Sequence, residues 1–226
     1  MVSEKIRSYE DGSDVVFVLR DTIDIRINRK LFLQLSKRHS TEEIISRLAQ
    51  KSLRHHVTQR ELVYVTSESG IPLFGHTAFG LIDRGTNVIQ VRPISGCNLN
   101  CIFCSVDEGK SSSRVTDYIV DVDYLVSEVK KLVELKGASK IEVHIDGQGE
   151  PFLYPYMSEL IDNLANVKGV DVISAQSNGM PLTIELLKKV EGKLDRLNLS
   201  INSLDEKLAK VLAGTNMYDL DHVRRI

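Results

Sequence analysis

Several features that direct proteins to membranes or to secretion are missing from this 226-residue sequence. It has no run of about 18 apolar residues, so we expect no transmembrane helix and no membrane partner. The N-terminal residues lack the apolar core of a secretory signal, which favours a cytoplasmic location. The formal net charge is only −2, so no general basic surface requires a nucleic-acid partner.

Cysteine is also scarce, and its placement is unusual. The chain has three cysteines, Cys97, Cys101 and Cys104, all inside one short stretch. An odd and clustered set does not form a disulfide framework. In a reducing cytoplasm such a cluster more often binds a metal, so the sequence predicts a metal site here.

Residues 1–84 are predicted to form a small accessory region of the α+β type. Three segments rich in β-branched and apolar residues are predicted strands: residues 14–20, 22–28 and 62–66. The first two are close enough in the chain to form a hairpin. Ser40 and Glu43 make a capping-box pattern that begins a helix continuing to about Gln50.

Residues 85–226 show a different pattern, in which strands and helices alternate. The predicted strands are residues 87–92, 140–146, 170–175 and 196–202. The predicted helices are residues 122–135, 157–164, 183–190 and 204–212. Such alternation is typical of parallel βα units in an α/β fold. Four units are too few for a closed eight-unit barrel, which needs roughly 250 residues.

The cysteines follow the first of these strands directly, with the spacing C-x3-C-x2-C. Thiolates are the usual ligands of iron–sulfur clusters. Three on one loop can hold three corners of a [4Fe–4S] cubane, which leaves the fourth iron open to the amino and carboxylate groups of S-adenosylmethionine. A closed zinc site is one alternative, in which His144 or another histidine supplies the fourth ligand. Buried free thiols are another, which a polar loop fits poorly.

At this point the sequence resembles the radical SAM superfamily, in particular its prokaryotic-type members. The family signature is C-x3-C-x-aromatic-C after the first barrel strand, and Phe103 occupies the aromatic position. In the family this side chain packs near the adenine of S-adenosylmethionine. The resemblance covers roughly residues 86–226. It implies that the three cysteines bind a [4Fe–4S] cluster and that S-adenosylmethionine is the second cofactor.

A second motif of the family matches residues 146–151, which read DGQGEP. The resemblance implies that the backbone and the carboxylate of this glycine-rich loop receive the amino group of S-adenosylmethionine. The residues concerned are Gly147, Gln148, Gly149 and Glu150. Glycine permits close backbone approach, and Glu150 supplies an acceptor for an ammonium group. Gln148 departs from the commonest form, which has glycine, and an ordinary turn is the alternative.

Polar residues after the third strand and on the fourth are further candidates for cofactor binding. Ser177 and Asn178 precede Gly179 where the family often has a similar turn, and a plain turn is the alternative. Ser200 and Asn202 lie on the predicted fourth strand, where family members commonly bond the ribose of S-adenosylmethionine. Simple exposure is the alternative for this pair.

Other titratable residues have weaker cases. His144 is expected to be a satisfied interior histidine rather than a catalytic base, and Asp107 and Glu108 are expected to be solvated loop charges. No residue is assigned as a catalytic acid or base. A weak basic patch consists of Arg54, His55, His56 and Arg60. It slightly favours RNA among the substrate classes, and an exposed helix end is the alternative.

The resemblance implies a partial (βα)6 barrel of the TIM type, of which about four βα units are present, beside the small N-terminal α+β region. Residues 221–226 have the pattern of a helix interior. The chain is therefore expected to be a fragment, a split gene product or a shortened chain. A partner chain that completes the barrel is the alternative, because an open edge at the fourth strand would invite pairing.

The implied function is reductive cleavage of S-adenosylmethionine. A one-electron reductant reduces the cluster, and cleavage yields methionine and a 5′-deoxyadenosyl radical that abstracts hydrogen from a substrate. RNA, a small molecule and a peptide are all compatible as that substrate. Two alternatives remain, namely an iron–sulfur binding or sensing module without catalysis, and a fragment that is inactive without a partner chain.

Overall fold

The computed structural model describes residues 6–49, 53–137 and 140–226, which form eleven strands, seven α-helices and two short 3-10 helices. The strands are β1 (Arg7–Asp11), β2 (Asp14–Leu19), β3 (Ile23–Asn28), β4 (Leu53–His55), β5 (Glu61–Val65), β6 (Gly80–Asp83), β7 (Val88–Arg92), β8 (Thr116–Val120), β9 (Ile141–Ile145), β10 (Val170–Ser177) and β11 (Arg196–Leu199). The helices are α1 (Arg29–Leu35), α2 (Thr41–Leu48), α3 (Val122–Lys136), α4 (Met157–Ala165), α5 (Ile184–Val190), α6 (Glu206–Ala213) and α7 (Leu220–Arg225).

The chain divides into two compact units. The N-terminal unit is Met1–Val63 with Arg114–Asp117, and the C-terminal unit is Tyr64–Ser113 with Tyr118–Ile226. This division differs from the predicted boundary after residue 84. The reason is that β6 pairs antiparallel with β7 and so belongs with the strands that follow it. A strand of only four residues leaves too little pattern in the sequence to be recognised.

One sheet has six strands in the order β1-β2-β3-β4-β5-β8. The predicted hairpin is confirmed, since β2 and β3 pair antiparallel, and its apolar residues such as Val16 and Ile25 are fully buried. The predicted capping box is also confirmed, because Ser40 and Glu43 bond reciprocally at the start of α2. This helix ends at Leu48. Gln50, to which the prediction extended, lies outside the described residues.

Two of the four residues of the predicted basic patch, His55 and Arg60, are buried in the N-terminal unit, whereas Arg54 is exposed and His56 is half-buried. His55 lies in β4 and is completely buried, where its Nδ1 accepts a backbone N–H at 3.1 Å. Burial lowers the pKa of His55 to about 4, so this residue is neutral at physiological pH. Arg60 is buried in an ion pair with Asp117 at 3.1 Å. Burial removes these two residues from any basic surface, so the patch as a whole no longer favours RNA. A strand also replaces the exposed helix end.

The other sheet has the order β11-β10-β9-β7-β6. Its strands β7, β9, β10 and β11 are parallel neighbours in chain order, and β6 is an antiparallel edge. They are the four strands that the alternating pattern predicted. Parallel strands need crossover connections, and α4 and α5 supply two of them, from β9 to β10 and from β10 to β11. The predicted α/β class is therefore confirmed.

Burial alternates along the parallel strands, so the two faces of the sheet differ in how deeply their side chains are buried. On β9, Ile141, Val143 and Ile145 are fully buried, whereas Glu142 and His144 are only partly buried on the opposite face. Helix α4 contacts β10, and α3 contacts β6. The apolar faces predicted for these helices are buried as expected, and their members are Leu125, Val129, Leu132, Val133, Met157, Leu160, Ile161 and Leu164.

The fourth parallel strand is shorter than predicted. β11 ends at Leu199, whereas the prediction extended to Asn202. The backbone N–H of Ser200 still donates to the carbonyl of Ser177 at 2.8 Å, and the chain then leaves the sheet. Ser200 and Asn202 therefore lie in the connection between β11 and α6.

The burial pattern of α3 makes a testable prediction about stability. Leu125 is fully buried on this helix and Leu135 is 83% exposed. We expect Leu125→Ala to lower the free energy of unfolding by about 2–5 kcal/mol, because it removes buried methyl groups and leaves a cavity. Leu135→Ala, the same substitution on the same helix, should change it by less than about 0.5 kcal/mol. Urea denaturation measures both, and equal losses would contradict the assigned faces.

Candidate functional site

The three cysteines lie in the loop that follows β7, within the C-terminal unit. All three are free thiols, of which Cys104 is exposed and the other two are partly buried. They border a cavity of about 330 Å³. Every predicted site residue except Gln148 lines this cavity, namely Cys97, Cys101, Phe103, Cys104, Gly147, Gly149, Glu150, Ser177, Asn178, Ser200 and Asn202.

The cavity forms where the four parallel strands end. The cysteine loop follows β7, the glycine-rich loop follows β9, Asn178 follows β10, and Ser200 follows β11. Parallel strands have their carboxyl ends at the same edge of a sheet, which is where α/β proteins commonly place their ligand sites. Sheet topology therefore brings together residues from four separate segments of the chain.

Backbone hydrogen bonds hold the cysteine loop on two sides. On one side, the N–H of Glu150 donates to the carbonyl of Gly96 at 2.9 Å. On the other side, the N–H of Asn100 donates to the carbonyl of Ala213 at 3.0 Å, and that of Ile102 donates to Leu212 at 3.1 Å. The last carbonyls of a helix have no partner within the helix. The loop amides therefore satisfy the C-terminal end of α6.

Two glycines allow the backbones to approach this closely. Gly149 has a φ of +143°, and a Cβ at this position would overlap the backbone of Gly96. Gly214, which ends α6, has a φ of +64°, and a Cβ there would overlap the carbonyl of Asn100. Glycine is the residue that tolerates both the positive φ and the close contact.

Burial shapes the chemistry of the thiols. It raises the pKa of Cys97 to about 12, and it also raises the pKa of Cys101. Metals bind the thiolate form. A bound cation reverses this preference because its positive charge stabilises the thiolates. Cys97 and Cys101 are therefore protonated in the metal-free protein, and metal binding favours their deprotonation.

The donor set fits a cluster better than a single metal ion. Among the described residues, no three His, Cys, Asp or Glu side chains are close enough to share one ion. A closed zinc site needs four converging ligands, and His144 instead bonds Ser174 on the sheet, 2.7 Å from Nδ1 to Oγ. In a cubane each thiolate binds a different iron, so the thiols need only surround a cavity. This is the arrangement that the structure has.

Glu150 is completely buried beside the cavity, and its carboxylate already accepts three hydrogen bonds. The donors are the N–H of Phe152 at 3.0 Å, the hydroxyl of Ser177 at 2.9 Å and the N–H of Asn178 at 2.7 Å. Burial nevertheless raises the pKa of Glu150 to about 7. The carboxylate therefore links the loop after β9 to the end of β10 by hydrogen bonds. This structural role does not depend on a bound ligand.

The remaining predicted residues differ in whether their side chains already form hydrogen bonds within the protein. Ser177 is buried, and its hydroxyl also accepts the N–H of Gly179 at 2.9 Å. Ser200 is half-buried and Asn202 is exposed. Within the described part of the chain their side chains make no hydrogen bond, so both are available to a ligand. Their assignment to the ribose stays a prediction.

The lining of the cavity also includes residues that were not predicted as site residues, among them Glu108, Gln176 and Tyr218. Glu108 was expected to be a solvated loop charge, and this expectation is corrected because it is buried. Its neighbour Asp107 is exposed, as expected. Gln176 could have been found from its position two residues after Ser174 on β10. Tyr218 has no local signal, because the packing of α6 and α7 brings it to the site.

Comparison with known proteins agrees with this geometry. A family model described as the Radical SAM superfamily matches residues 91–224. The chain belongs to the Radical SAM superfamily. Radical SAM enzymes use a [4Fe–4S] cluster and S-adenosylmethionine, so the predicted family and its cofactors are confirmed.

Curated relatives match the Radical SAM chain over part of their length. The uncharacterized protein MJ0103 of Methanocaldococcus jannaschii is 49% identical over 184 residues, which are 80% of this chain and 42% of that protein. A probable GTP 3',8-cyclase of Methanococcus aeolicus is 31% identical over 61% of this chain and 44% of its own length. The GTP 3',8-cyclase of Chlorobaculum tepidum is 29% identical over 55% of this chain and 35% of its own length. The chain thus spans less than half the length of each relative.

A solved structure supports the fold. A mutant of spore photoproduct lyase aligns with a TM-score of 0.51 over 74% of this chain and 46% of that chain. Its sequence identity is 14%, so the likeness concerns the α/β fold alone. In the part of the chain that the structure describes, no helix is long and apolar enough to cross a membrane. The cytoplasmic location stays a prediction.

The contact between Gly149 and Gly96 makes a second prediction. We expect Gly149→Ala to lower the free energy of unfolding by about 3 kcal/mol or more, because backbone strain and overlap with Gly96 act together. Gly192 is the matched control, since its φ is +75° and its surroundings leave space for a Cβ. Gly192→Ala should cost only about 1–2 kcal/mol from strain. Urea denaturation compares them, and similar costs would show that the contact is not tight.

The buried carboxylate makes a prediction about pH. Because the pKa of Glu150 is raised to about 7 from its usual 4.5, the folded protein keeps a proton between these values that the unfolded chain releases. Stability should therefore fall as pH rises from about 4.5 to 7, by about 3 kcal/mol at most from this group. Urea denaturation of the metal-free protein at several pH values measures this slope.

Glu150→Gln is the control for that slope, since glutamine does not titrate. His55, whose pKa is lowered to about 4, contributes the opposite slope between about 4 and 6.5 in both proteins. The difference between the two pH profiles therefore isolates Glu150. Parallel profiles would mean that its carboxyl keeps an ordinary pKa in the folded state.

Proposed function

We propose that this chain provides the cluster-binding and cofactor-binding part of a radical SAM enzyme, with Cys97, Cys101 and Cys104 as cluster ligands. The observation that carries the proposal is the convergence of three free thiols, Phe103 and Gly149 on one cavity at the carboxyl ends of four parallel strands. When bound, the reduced cluster and S-adenosylmethionine supply a radical that abstracts hydrogen from a substrate.

The side chains around the cavity suit the parts of S-adenosylmethionine. Phe103 is 55% exposed and offers an aromatic face to the adenine. Gly147 and Gly149 leave backbone accessible to the amino group. Ser200 and Asn202 have hydroxyl and carboxamide groups free to bond the ribose. In this proposal the residues bind and orient the cofactor, and the strand ends set their spacing.

Glu150 has a positioning role in this proposal. Its three internal donors fix the glycine-rich loop against the turn at Asn178, so that the backbone of Gly149 meets the ligand in one orientation. A carboxylate has about four acceptor sites. One site therefore remains for the ammonium group of S-adenosylmethionine, which keeps the direct contact inferred from the family compatible with this geometry.

The strand order supports a partial barrel. Parallel neighbours in chain order are the arrangement of successive units in a (βα) barrel, whereas doubly wound sheets reverse their order at a switch point. In the described residues, β11 pairs with β10 on one side and has no strand on the other. We propose that further strands extend the sheet at β11, from this protein or from a partner chain.

The substrate is not carried over from the relatives. The two GTP 3',8-cyclases compared with this chain match 55% and 61% of it, at 29% and 31% identity. That similarity supports shared cofactor chemistry and not GTP as the substrate. RNA also has no support, because His55 and Arg60 of the basic patch are buried. A one-electron reductant is the partner that the chemistry requires.

Anaerobic reconstitution with iron and sulfide tests the proposed function. We expect about four irons per chain, and formation of 5′-deoxyadenosine when dithionite and S-adenosylmethionine are added. Cys101→Ala should abolish both. Ser105→Ala, which changes an exposed residue of the same loop, should retain the cluster. A wild-type protein that takes up zinc and forms no cubane would contradict the proposal.

The same preparation separates the two alternatives. A sensing module would form the cluster, but its EPR signal would not respond to S-adenosylmethionine. A chain that needs a partner would show a changed EPR signal on addition of the cofactor, without formation of 5′-deoxyadenosine. We expect the signal to change, since the cavity has room beside the thiols and polar groups that face a ligand.

A further inference from the structure

The side chain of Asn178 lies beside the sulfur of Cys97. Its Nδ2 is 3.8 Å from Cys97 Sγ, within the range of an N–H···S hydrogen bond, and 2.8 Å from Asn98 Oδ1. An amide nitrogen carries two hydrogens, so both bonds can form at once. Asn178 is half-buried, which partly shields these bonds from water.

The network around Asn178 fixes the direction of its carboxamide. Its Oδ1 accepts the backbone N–H of Met180 at 3.0 Å, which requires the oxygen on that side. The nitrogen therefore faces Cys97 and Asn98. Its own backbone N–H donates to the buried carboxylate of Glu150 at 2.7 Å. The turn is thus held at both its backbone and its side chain, and the donor stays aimed at the sulfur.

The sulfur of Cys97 has two hydrogen-bond donors near it, one from the side chain of Asn178 and one from the backbone of Leu99. The backbone N–H of Leu99 also lies 3.5 Å from it. By contrast, the N–H groups of Asn100 and Ile102 are bonded to the last carbonyls of α6, so neither donates to a thiol. Asn178 is therefore a donor from a distant part of the chain that reaches one particular cluster ligand.

We propose that Asn178 is a positioning residue that raises the reduction potential of the cluster through its hydrogen bond to Cys97. Reduction adds negative charge that spreads onto the sulfur ligands. A donor aimed at one of these sulfurs stabilises the reduced state more than the oxidised state, and hydrogen bonds to sulfur are among the factors that set such potentials. The inference rests on the proposed function, since it requires the cluster.

An EPR-monitored redox titration of the reconstituted chain tests the inference, with dithionite as the source of the single electron and without S-adenosylmethionine. Asn178→Ser keeps a side-chain oxygen that can accept from Met180, but it is too short to reach Cys97. We expect the ratio of reduced to oxidised cluster at a given potential to fall about tenfold, a shift of about 59 mV to more negative values.

Gln176→Ala is the matched control. It also removes a carboxamide from the cavity lining, but among the described residues this carboxamide makes no hydrogen bond to a thiol. It should leave the potential unchanged.

Asn178→Asp provides a second variant if the serine variant loses the cluster. Aspartate keeps the size of the side chain and the acceptor for Met180, but it removes the donor and adds a negative charge. We expect a larger negative shift. An intact cluster whose potential is unchanged in either variant would overturn the inference alone. A wild-type chain that forms no cubane would overturn the proposed function and this inference with it.

Discussion

Backbone contact on both sides of the cysteine loop is the constraint on which the candidate site depends. The thiols must stay free for a metal, so they cannot anchor the loop themselves. The anchors are instead the close approaches at Gly149 and Gly214 and the amide bonds to the end of α6. Leu99 reinforces them by packing against Ala209 and Ala213. Helix α6, which comes late in the chain, is therefore needed to shape a motif that comes much earlier.

The buried carboxylate of Glu150 is the second link in this arrangement. A buried carboxyl group is costly unless it is bonded, and here the bonds join the segments after β9 and β10. Since Glu150 N also donates to Gly96, three strand ends are connected through one residue. The same turn then directs Asn178 at Cys97. Scaffold and ligand environment are thus parts of one hydrogen-bond network.

Local patterns explain which parts could be predicted from the sequence. The four parallel strands, the faces of α3 and α4, the capping box of α2 and the cysteine spacing all depend on short-range periodicity or composition. The failures depend on long-range contacts. Arg60 looks like a basic surface residue until it meets Asp117, 57 residues away. Tyr218 reaches the cavity only through helix packing, and β6 is identified only by pairing with β7.

The polar face of the parallel sheet, which includes Glu142 and His144, bears on the barrel that we propose. The hydroxyl of Ser174 donates to Glu142 at 2.6 Å, so the Nδ1–H of His144 donates to that hydroxyl and this histidine is hydrogen-bonded on the sheet. Nearby, Arg92 pairs with Asp146 at 3.0 Å. The interior of a closed TIM barrel is filled by branched apolar side chains. A face of bonded polar residues does not pack in that way. It suits an open interior in contact with water or a polar ligand, beside a cofactor cavity at the strand ends.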